Sequence, residues 1–524
     1  MATGMAYSVA LDGISGRVVS IEADISNGIP GWSLSGLADV SVAEARDRCR
    51  AAIINSRHTW PDRRITVAMY PADVPKAGTH YDLAIALALM AAKGELPPDC
   101  LRDVVVLGEL GLNGRVCSVP GVLPALLVAA DSGLSRAIVP GVNAVEAGLV
   151  GGLRILGVGS LVECLAVLTG AELPDELPAA AEHEPPAAPR HRPRLEQMDL
   201  HEVRGQQRAR WCVEVAAAGG HHLFLDGPPG AGKTMLAERF SPLLPELDLG
   251  QSLEVSKIHS VAGLLSRDDP LVRRPPFLSP NHTDTVPSVV GGGSRIIRPG
   301  AISLAHLGTL FLDEAPEFRP SVLDSLRQPL ESGEISIRRA DGAARFPACF
   351  QLILAANPCP CGRAYHNRGC TCPPADKRRY QAKISGPVRD RIDINHTVSP
   401  VTRVEMRQTV GDADSTRAVR TRVHEARDRQ RRRFAGLPWL TNADVPGHEF
   451  RSRCPMPDDL ALLVEDAVAD GALTQRGADR VVRLSWTVAD LAGRPAPGEG
   501  DVREALRLRT NGLRGDPRPV RRLS

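Results

Sequence analysis

The stretch HHLFLDGPPGAGKTMLAERF, His221–Phe240, decides the fold of this chain. A short apolar run is followed by a glycine-rich loop and then by helical spacing, which indicates a strand, a loop and a helix. Gly227–Thr234 fits the spacing G-x-x-x-x-G-K-[ST]. Glycines at this spacing let backbone N–H groups surround phosphates, and the start of the following helix adds positive potential. The stretch therefore predicts an α/β unit that binds a nucleotide.

Each part of this loop has an expected role. Lys233 is expected to reach the β- and γ-phosphates, and the Thr234 hydroxyl is expected to bind Mg²⁺. ATP and Mg²⁺ are accordingly the expected cofactors. The predicted ATP-binding residues are Gly227, Pro228, Pro229, Gly230, Ala231, Gly232, Lys233 and Thr234.

Two further apolar runs end in polar residues suited to the same site. GTLFLDEA, Gly308–Ala315, places Asp313 to hold Mg²⁺, directly or through water. Glu314 follows and is expected to orient and deprotonate the attacking water. FQLILAANP ends near Asn357, which is expected to contact the γ-phosphate or the water. From the residues alone, Asn357 is as well explained as an ordinary turn residue.

An arginine from a neighbouring subunit often stabilises charge in phosphoryl transfer. ISGPVRDRIDI, Ile384–Ile394, and LTQRGADRVVRLSW, Leu473–Trp486, contain the candidates. Spacing alone does not choose among Arg389, Arg391, Arg476, Arg480 and Arg483.

A length of 524 residues exceeds one ordinary core and predicts two to four domains. Residues 171–194 are rich in Pro, Ala and Glu without apolar periodicity, which is typical of a linker. Residues 1–170 and 195–400 show mixed strand and helix patterns, and residues 401–524 are mostly helical in pattern. The predicted domains are these three units.

The net charge of +2 argues neither for nor against a polyanionic partner. No leader-like segment is apparent at the start, and the run Leu83–Ala92 is too short to span a membrane. The eleven cysteines are odd in number and mostly scattered, unlike a secreted disulfide framework. We therefore expect a protein of the reducing cytoplasm with no membrane partner.

The motifs TLFLDE, AANP, SGPVRDRID and QRGADRVVRLSWTVADL follow the phosphate loop in this order. Together they resemble the AAA+ ATPases of the magnesium-chelatase-like branch, and most closely the ComM/YifB family of competence-associated ATPases. The resemblance covers nearly the whole chain. Ser260–Leu265, Gly291–Glu314 and Leu326–Gly362 are close to the family consensus.

This resemblance implies an α/β multidomain fold with a Lon-protease-like α/β first domain, a P-loop AAA+ core and a helical C-terminal lid. It implies that Asn357 is the sensor-1 residue, that Arg391 is the arginine finger acting on the neighbouring subunit, and that Arg476 is the sensor-2 residue. A homo-oligomeric ring, a hexamer in the family, is also implied, with sites between subunits.

The branch also carries a hairpin before the sensor strand, and Gly333–Ala348 suits one because EISIRR alternates and Asp341-Gly342 favours a turn. In related ring motors such hairpins point into the central channel. Arg338, Arg339 and Arg345 would then contact the translocated polymer. A solvated hairpin with ordinary surface charge is the alternative.

The first domain resembles the proteolytic domain of Lon proteases through Pro71–Ala92 and Val106–Pro140. That family uses a Ser–Lys dyad. Here His80 stands at the serine position and Leu123 at the lysine position, while Lys76 is not the dyad lysine. Because both the nucleophile and its activating amine are missing, we expect a non-catalytic domain, with His80 as a structural histidine.

Cys359, Cys361, Cys370 and Cys372 form the spacing C-x-C-x8-C-x-C. Four thiolates can complete a tetrahedral Zn²⁺ site or an Fe–S site, and a redox pair or free thiols are the alternatives. The segment is rich in Pro and Gly and lacks core-forming residues, so a structural metal would order it. Structural zinc is the favoured prediction.

The resemblance implies helicase or branch-migration activity during recombination of transforming DNA. The DNA partner that it implies is single-stranded or branched. The residues alone indicate only the motor. The basic segment Arg417–Phe434 suits phosphate binding and a solvated helix face equally. The alternative function is a chelatase-type or protein-remodelling ATPase without DNA binding. A protease is opposed by His80 and Leu123.

Overall fold

The computed structural model describes residues 3–97, 99–173, 195–293, 297–339, 342–363, 369–401 and 414–511. Most of the predicted linker, 174–194, lies outside these residues, as do 402–413 and 512–524 of the predicted lid. Asp341 of the predicted hairpin turn and the side chain of Arg339 are outside them as well. Within the described part of the chain, no helix is both long and apolar enough to cross a membrane.

The first unit is built on a mixed seven-stranded sheet, with the order β3-β4-β2-β1-β5-β8-β9 among the described residues. β1 runs antiparallel to β2 and parallel to β5. The strands of this unit are β1 (Thr3–Asp12), β2 (Ser15–Ser26), β3 (Gly31–Ser35), β4 (Arg64–Tyr70), β5 (Val104–Val106), β6 (Glu109–Leu110), β7 (Val116–Cys117), β8 (Arg136–Pro140) and β9 (Arg154–Val158). Its helices are α1 (Val40–Ala43), α2 (Ala45–Asn55), α3 (Asp82–Lys93), α4 (Val122–Asp131), α5 (Ala144–Ala147) and α6 (Leu161–Thr169).

The alternation along β1 places its side chains in two separate cores. Ala6 and Ala10 pack with α2 and α3 on one face, while Val9 packs with α4 on the other. The apolar run expected to be too short for a membrane forms α3, which is buried over most of its surface. A sheet between two helical layers results, and this confirms the α/β class predicted for this part of the chain.

The second unit is built on five parallel strands in the order β11-β14-β17-β10-β18. All residues of β14 are buried, as expected for a parallel strand covered on both faces. The carboxyl ends of such strands meet at one edge of the sheet, where ligands bind. The strands of this unit are β10 (Leu223–Asp226), β11 (Phe277–Leu278), β12 (Gly291–Gly292), β13 (Arg298–Pro299), β14 (Thr309–Leu312), β15 (Glu334–Arg339), β16 (Gly342–Pro347), β17 (Gln351–Ala356) and β18 (Ile394–Thr397).

Helices surround this sheet and continue to the end of the described chain. Those of the second unit are α7 (Gln207–Gly219), α8 (Lys233–Glu238), α9 (Leu249–Ala262), α10 (Val286–Val290), α11 (Ala301–Leu304), α12 (Pro320–Ser325), α13 (Pro329–Ser332), α14 (Pro374–Ala382) and α15 (Gly386–Arg389). The carboxy-terminal helices are α16 (Thr416–Arg433), α17 (Gly447–Arg453), α18 (Asp458–Ala469), α19 (Gln475–Leu491) and α20 (Glu499–Thr510). The predicted helical character of the carboxy-terminal part is confirmed.

Several arginines of α16 face the protein. Arg422 pairs with Glu214 of α7 at 2.6 Å, and Arg427 donates to the carbonyl oxygen of Ala217 at 2.8 Å. Arg433 pairs with the buried Asp490 of α19. Arg422 and Arg427 therefore join α16 to α7 of the second unit, and Arg433 joins α16 to α19 within the carboxy-terminal helices. Those that remain exposed are Arg417, Arg420, Arg431 and Arg432.

The first and second units are in direct contact along α9. The Gly121 N–H donates to the carbonyl oxygen of Ser260 at 3.0 Å, and the Ser260 hydroxyl donates to the buried carboxylate of Glu146. Burial raises the pKa of Glu146, and the hydrogen bond from Ser260 opposes the shift. Leu11 and Ile14, which flank the turn between β1 and β2, pack against the core of the second unit.

Candidate nucleotide site

The glycine-rich loop follows β10 and leads directly into α8. A Cβ at Gly227 would lie 2.3 Å from the carbonyl oxygen of Val398, so no side chain fits there. Gly230 and Gly232 have φ of +77° and +94°, in the left-handed region that glycine tolerates. Gly232 is the N-cap of α8, which begins at Lys233. The loop conformation thus depends on glycine at three of the predicted positions.

Lys233 connects the loop to the neighbouring strand. Its ammonium group donates to the carbonyl oxygens of Gly227 at 2.7 Å and Pro228 at 3.0 Å. It also donates to Oδ1 of Asn357 at 3.1 Å. Burial lowers the pKa of Lys233, while nearby carboxylates act in the opposite direction. The structure therefore brings together two predicted residues that are 124 positions apart in the chain.

Thr234 and Asp313 form the second contact across the sheet edge. The Thr234 hydroxyl donates to Oδ2 of Asp313 at 2.6 Å. The other oxygen, Oδ1, accepts from the Glu314 backbone N–H at 2.9 Å. A hydroxyl and a carboxylate side by side are hard oxygen donors of the kind that Mg²⁺ prefers. The donor set therefore fits the predicted ion, with Thr234 and Asp313 as its holders.

Glu314 lies at the end of β14 in an unusual backbone conformation. Its φ is +50° and its ψ is +44°, the left-handed region that a residue with a side chain rarely occupies. Such strain persists only where the surroundings enforce it, and it is concentrated at functional sites. Oε2 of Glu314 lies 3.8 Å from Nδ1 of His282. The carboxylate is half exposed, which leaves it accessible to a water molecule.

The candidate arginines have different surroundings. Arg480 pairs with Asp393, and Arg389 lies over the ring of Phe224 with its guanidinium carbon 5.7 Å from the ring centroid. Arg391 donates to Glu331. Arg476, at the start of α19, is exposed.

Asp393 gives Arg480 a structural role. Burial would raise the pKa of Asp393, but Arg480 and the neighbouring histidines lower it well below its ordinary value. The His222 backbone N–H also donates to Asp393 at 2.9 Å. Arg480 therefore helps to hold α19 against the sheet, through an aspartate that lies two residues after Arg391.

The four predicted cysteines converge on one point. Their sulfur atoms all lie within 4.8 Å of one another, with separations of 3.3 Å for Cys359–Cys361, 3.8 Å for Cys359–Cys370 and 3.6 Å for Cys361–Cys370. Zn–S bonds of about 2.3 Å in a tetrahedron separate the sulfur atoms by about 3.8 Å. The thiol set therefore matches the size of a tetrahedral Zn²⁺ site.

This cysteine cluster lies against the glycine-rich loop. A Cβ at Gly362 would lie 2.7 Å from Cγ of Pro229. Asn357, which accepts from Lys233, precedes Cys359 by two residues. Two independent contacts thus connect the cysteine cluster with the predicted ATP site.

The predicted hairpin is formed by β15 and β16, with Ser336 opposite Arg345 and Arg338 opposite Ala343. Ile335, Ile337 and Phe346 point into the core. Arg338 and Arg345 are exposed and lie on the opposite face. The β1–β2 turn of the first unit approaches this hairpin, because a Cβ at Gly13 would lie 2.5 Å from the carbonyl oxygen of Arg345.

The dyad positions of the first unit carry no nucleophile. Nε2 of His80 lies 2.9 Å from the carbonyl oxygen of Val9. Burial lowers the pKa of His80 to about 4, and the hydrogen bond to Val9 opposes that shift. Leu123 is fully buried. Lys76 donates to the carbonyl oxygens of Met69 and Pro71. These surroundings are those of a structural histidine and a structural lysine.

Two residues near the site had no signal in the sequence. His282, beside Glu314, comes from PNHTDT, Pro280–Thr285, which has the composition of an ordinary loop. Glu331, the partner of Arg391, lies 60 positions before it. A contact between distant residues can be predicted from sequence only when both belong to a motif of known spacing or to a recognisable strand or helix pattern, and these two pairs belong to neither.

Family models match three parts of the chain. Residues 199–406 match the model described as magnesium chelatase, subunit ChlI. Residues 21–143 match subunit ChlI of Mg-chelatase, and residues 413–509 match the ChlI C-terminal model.

Several relatives are similar to this chain over most of its length. An uncharacterized protein of Mycobacterium tuberculosis is 46% identical, over 98% of this chain and 100% of that protein. Competence protein ComM of Haemophilus influenzae is 38% identical, over 97% of this chain and 98% of that protein. YifB of Escherichia coli is 38% identical, over 94% of each chain. The Lon protease of Mycolicibacterium smegmatis is 34% identical over 144 residues, which are 26% of this chain and 18% of that protein.

Proposed function

The chain belongs to the ComM/YifB family of magnesium-chelatase-like AAA+ ATPases, and from this premise we propose that it hydrolyses ATP to drive a ring motor on DNA. The observation that carries the proposal is the pair of contacts at the sheet edge. Lys233 reaches Asn357, and Thr234 reaches Asp313, so that a cation, a hydroxyl, a carboxylate and an amide meet where β10, β14 and β17 end.

The residues divide the reaction among them. The loop N–H groups and Lys233 bind the phosphates, and Mg²⁺, held by Thr234 and Asp313, offsets charge on their oxygens when bound. Glu314 accepts a proton from the water whose oxygen bonds to the γ-phosphorus. The bond from that phosphorus to the β–γ bridging oxygen breaks, and ADP leaves. Asn357 positions the water or the γ-phosphate.

We propose that arginines outside this set of residues supply further positive charge to the phosphates. Arg391 of a neighbouring subunit supplies the finger, and Arg476 acts from the lid, in keeping with the family. A finger in trans requires that two subunits meet at each site, and we propose a homo-oligomeric ring, a hexamer, because the family resemblance implies it. We propose the reducing cytoplasm as its compartment, and the eleven free cysteines support it.

DNA, single-stranded or branched, is the proposed polymer, and helicase or branch migration in recombination of transforming DNA is the proposed role. Arg338 and Arg345 lie together on the exposed face of the hairpin, and Arg339 follows in the sequence. Arginines in such a place contact phosphates, so binding would have little sequence preference and would weaken with salt. A relative named for competence supports the connection with DNA uptake.

The second candidate is a chelatase-type or protein-remodelling ATPase that binds no DNA. It is favoured by the β1–β2 turn of the first unit, which occupies the space beside Arg345. Burial raises the pKa of Asp12 in that turn, and the charge of Arg345 opposes the shift. An acidic group of the protein thus already faces one of the three hairpin arginines.

A paired assay decides between these candidates. Binding of forked DNA and ATPase activity with and without that DNA are measured at two salt concentrations. Arg338→Ala/Arg339→Ala is expected to weaken DNA binding at least tenfold and to leave basal ATPase near the wild-type value. Arg50→Ala, an exposed arginine of α2 in the first unit, is the control and is expected to keep both. If the wild type binds no DNA at low salt with ATP, the protein-remodelling candidate replaces the DNA motor.

We also propose that Cys359, Cys361, Cys370 and Cys372 hold one structural Zn²⁺. The distances between the four sulfur atoms support a bound ion. Because Gly362 lies close to Pro229, an ordered cysteine segment would help to hold the glycine-rich loop in place. Four thiolates saturate a tetrahedral ion, so it would order the segment without taking part in hydrolysis.

Elemental analysis tests the metal directly. Protein purified under reducing conditions is expected to carry about one zinc per chain. Cys361→Ser/Cys370→Ser is expected to lose the metal and most ATPase activity, whereas Cys117→Ser, an isolated cysteine of the first unit, is expected to keep both. Wild-type protein without zinc or iron would exclude the metal site.

A further inference from the structure

The finger candidate Arg391 is bound by its own chain. Nη2 donates to Oε2 of Glu331 at 2.7 Å, and Nη1 donates to the carbonyl oxygen of Pro387 at 2.7 Å. The Arg391 side chain is 12% exposed and the Glu331 side chain is 65% exposed. The guanidinium is therefore held at the edge of the core, with its acidic partner on the solvent side.

Glu331 lies at the root of the hairpin. It belongs to α13, which ends at Ser332; Gly333 follows with φ of +68°, and β15 begins at Glu334. The Gly333 carbonyl oxygen accepts from the Ala348 N–H at 2.7 Å, which closes the neck of the hairpin. Two residues thus separate the partner of Arg391 from the point where the two hairpin strands meet.

The finger segment and the hairpin also share one core. Val388 and Ile392, on either side of Arg391, are buried in the same cluster as Ile335 and Phe346 of the hairpin. Close-packed side chains transmit displacement because the interior has little free volume. A shared apolar core and an ion pair therefore link the finger segment with the hairpin and its root.

From these contacts we infer that Glu331 couples the hairpin to ATP hydrolysis in the neighbouring subunit, an inference that rests on the proposed function. The Glu331 carboxylate and a γ-phosphate are both anions that a guanidinium binds well, and in this inference they compete for the Nη2 group of Arg391, which donates to Glu331 in the structure. When Arg391 turns to the neighbour's nucleotide, the hairpin root loses its ion pair. By linkage, a polymer that displaces the hairpin changes the availability of the finger. Glu331 is a positioning residue that acts through Arg391.

The test compares Glu331→Gln with a matched control. Asp324 of α12 pairs with Arg327 at 2.7 Å within one helical turn, so Asp324→Asn removes a similar charge without touching the finger. Steady-state ATPase activity is measured with and without saturating forked DNA, and kcat and KM are reported separately. Glu331→Gln is expected to raise basal kcat, to keep the KM for ATP, and to reduce DNA stimulation to less than twofold. Asp324→Asn is expected to keep the wild-type stimulation.

Glu331→Asp keeps the negative charge and serves as a control, because it distinguishes loss of the ion pair from general damage to the protein. It is expected to retain more than half of the stimulation. Wild-type stimulation in Glu331→Gln would overturn the coupling and leave the DNA motor intact. An unstimulated wild type would overturn both. Lost stimulation accompanied by a lower basal kcat and a higher KM would mark a disrupted site and would also overturn the coupling.

Discussion

Lys233 and Lys76 invite comparison, because each is a buried lysine in an α/β unit and each donates to backbone carbonyl oxygens a few residues before it in the chain. Their surroundings differ beyond that point. Lys233 also reaches Asn357 on a neighbouring strand and lies among carboxylates, whereas the hydrogen bonds of Lys76 in the described structure go to backbone oxygens. A buried lysine indicates function only where other strands bring reactive side chains to it.

The largest expected effect is a difference in ATP affinity between variants of the two lysines. Lys233→Ala is expected to reduce ATP affinity at least 100-fold, because it removes the side chain that would bind the phosphates. Lys76→Ala is expected to leave ATP affinity within twofold of the wild type in the folded protein. Titration with a fluorescent ATP analogue measures both. Equal losses in the two variants would contradict the comparison.

The second prediction separates binding from turnover within the nucleotide site. Glu314→Gln keeps the shape of the side chain and removes its basicity, so kcat is expected to fall by about 10²–10⁴-fold while ATP binding persists. Glu317→Gln, three residues along, is the control and is expected to hydrolyse ATP normally. Hydrolysis by Glu314→Gln at the wild-type rate would show that the base is another group.

A third prediction concerns the ion pair between Arg48 and the buried Asp82 in the first unit. Arg48 donates to the buried Asp82 at 2.6 Å, and burial raises the pKa of Asp82 to about 6 although Arg48 opposes the shift. Asp82→Ala leaves Arg48 without its partner and is expected to cost about 3 kcal/mol in the free energy of unfolding. Thermal melting measures the loss. ATPase activity at a temperature where the protein is folded is expected to stay within twofold of the wild type.

The smallest effect is a pH dependence at His80. Its ordinary pKa of 6.5 falls to about 4 in the folded protein, so the unfolded chain binds a proton more readily between these values. Stability from this group is present above pH 6.5 and is lost as pH falls toward 4. His80→Gln is expected to lessen the acid-induced drop in melting temperature relative to the wild type. An unchanged difference between the two proteins from pH 7 to pH 4.5 would refute the assignment.

The nucleotide site was predictable because its parts follow local rules. Glycine spacing predicted the loop, and apolar runs predicted strands that carry Asp313 and Asn357 to the site; the structure shows these strands as parallel neighbours. The alternation of EISIRR likewise predicted the outward face of Arg338. Four cysteines in fourteen residues were recognisable by composition alone, and their convergence confirmed the expectation that they form one group.

The contacts between distant segments were not predictable. Nothing in the sequence places Glu331 beside Arg391, or His282 beside Glu314, since each pair is brought together by tertiary packing. The basic run of α16 misleads in the same way. It has the composition of a phosphate-binding surface, yet Arg422, Arg427 and Arg433 bind acids and carbonyls of the chain itself.

The turn between β1 and β2 predicts what happens when the first unit is deleted and only the ATPase part of the chain is produced. Leu11 and Ile14 cover part of the apolar core that supports the hairpin, and Gly13 lies so close to Arg345 that only glycine fits. A shortened protein that begins at Leu195 would uncover that apolar area beside the hairpin and leave the hairpin without its neighbour. The first unit, part of which is similar to Lon protease, thus carries no nucleophile at the dyad positions and covers one side of the hairpin. Biochemistry on the isolated ATPase would therefore describe a hairpin less restrained than the one in the intact chain.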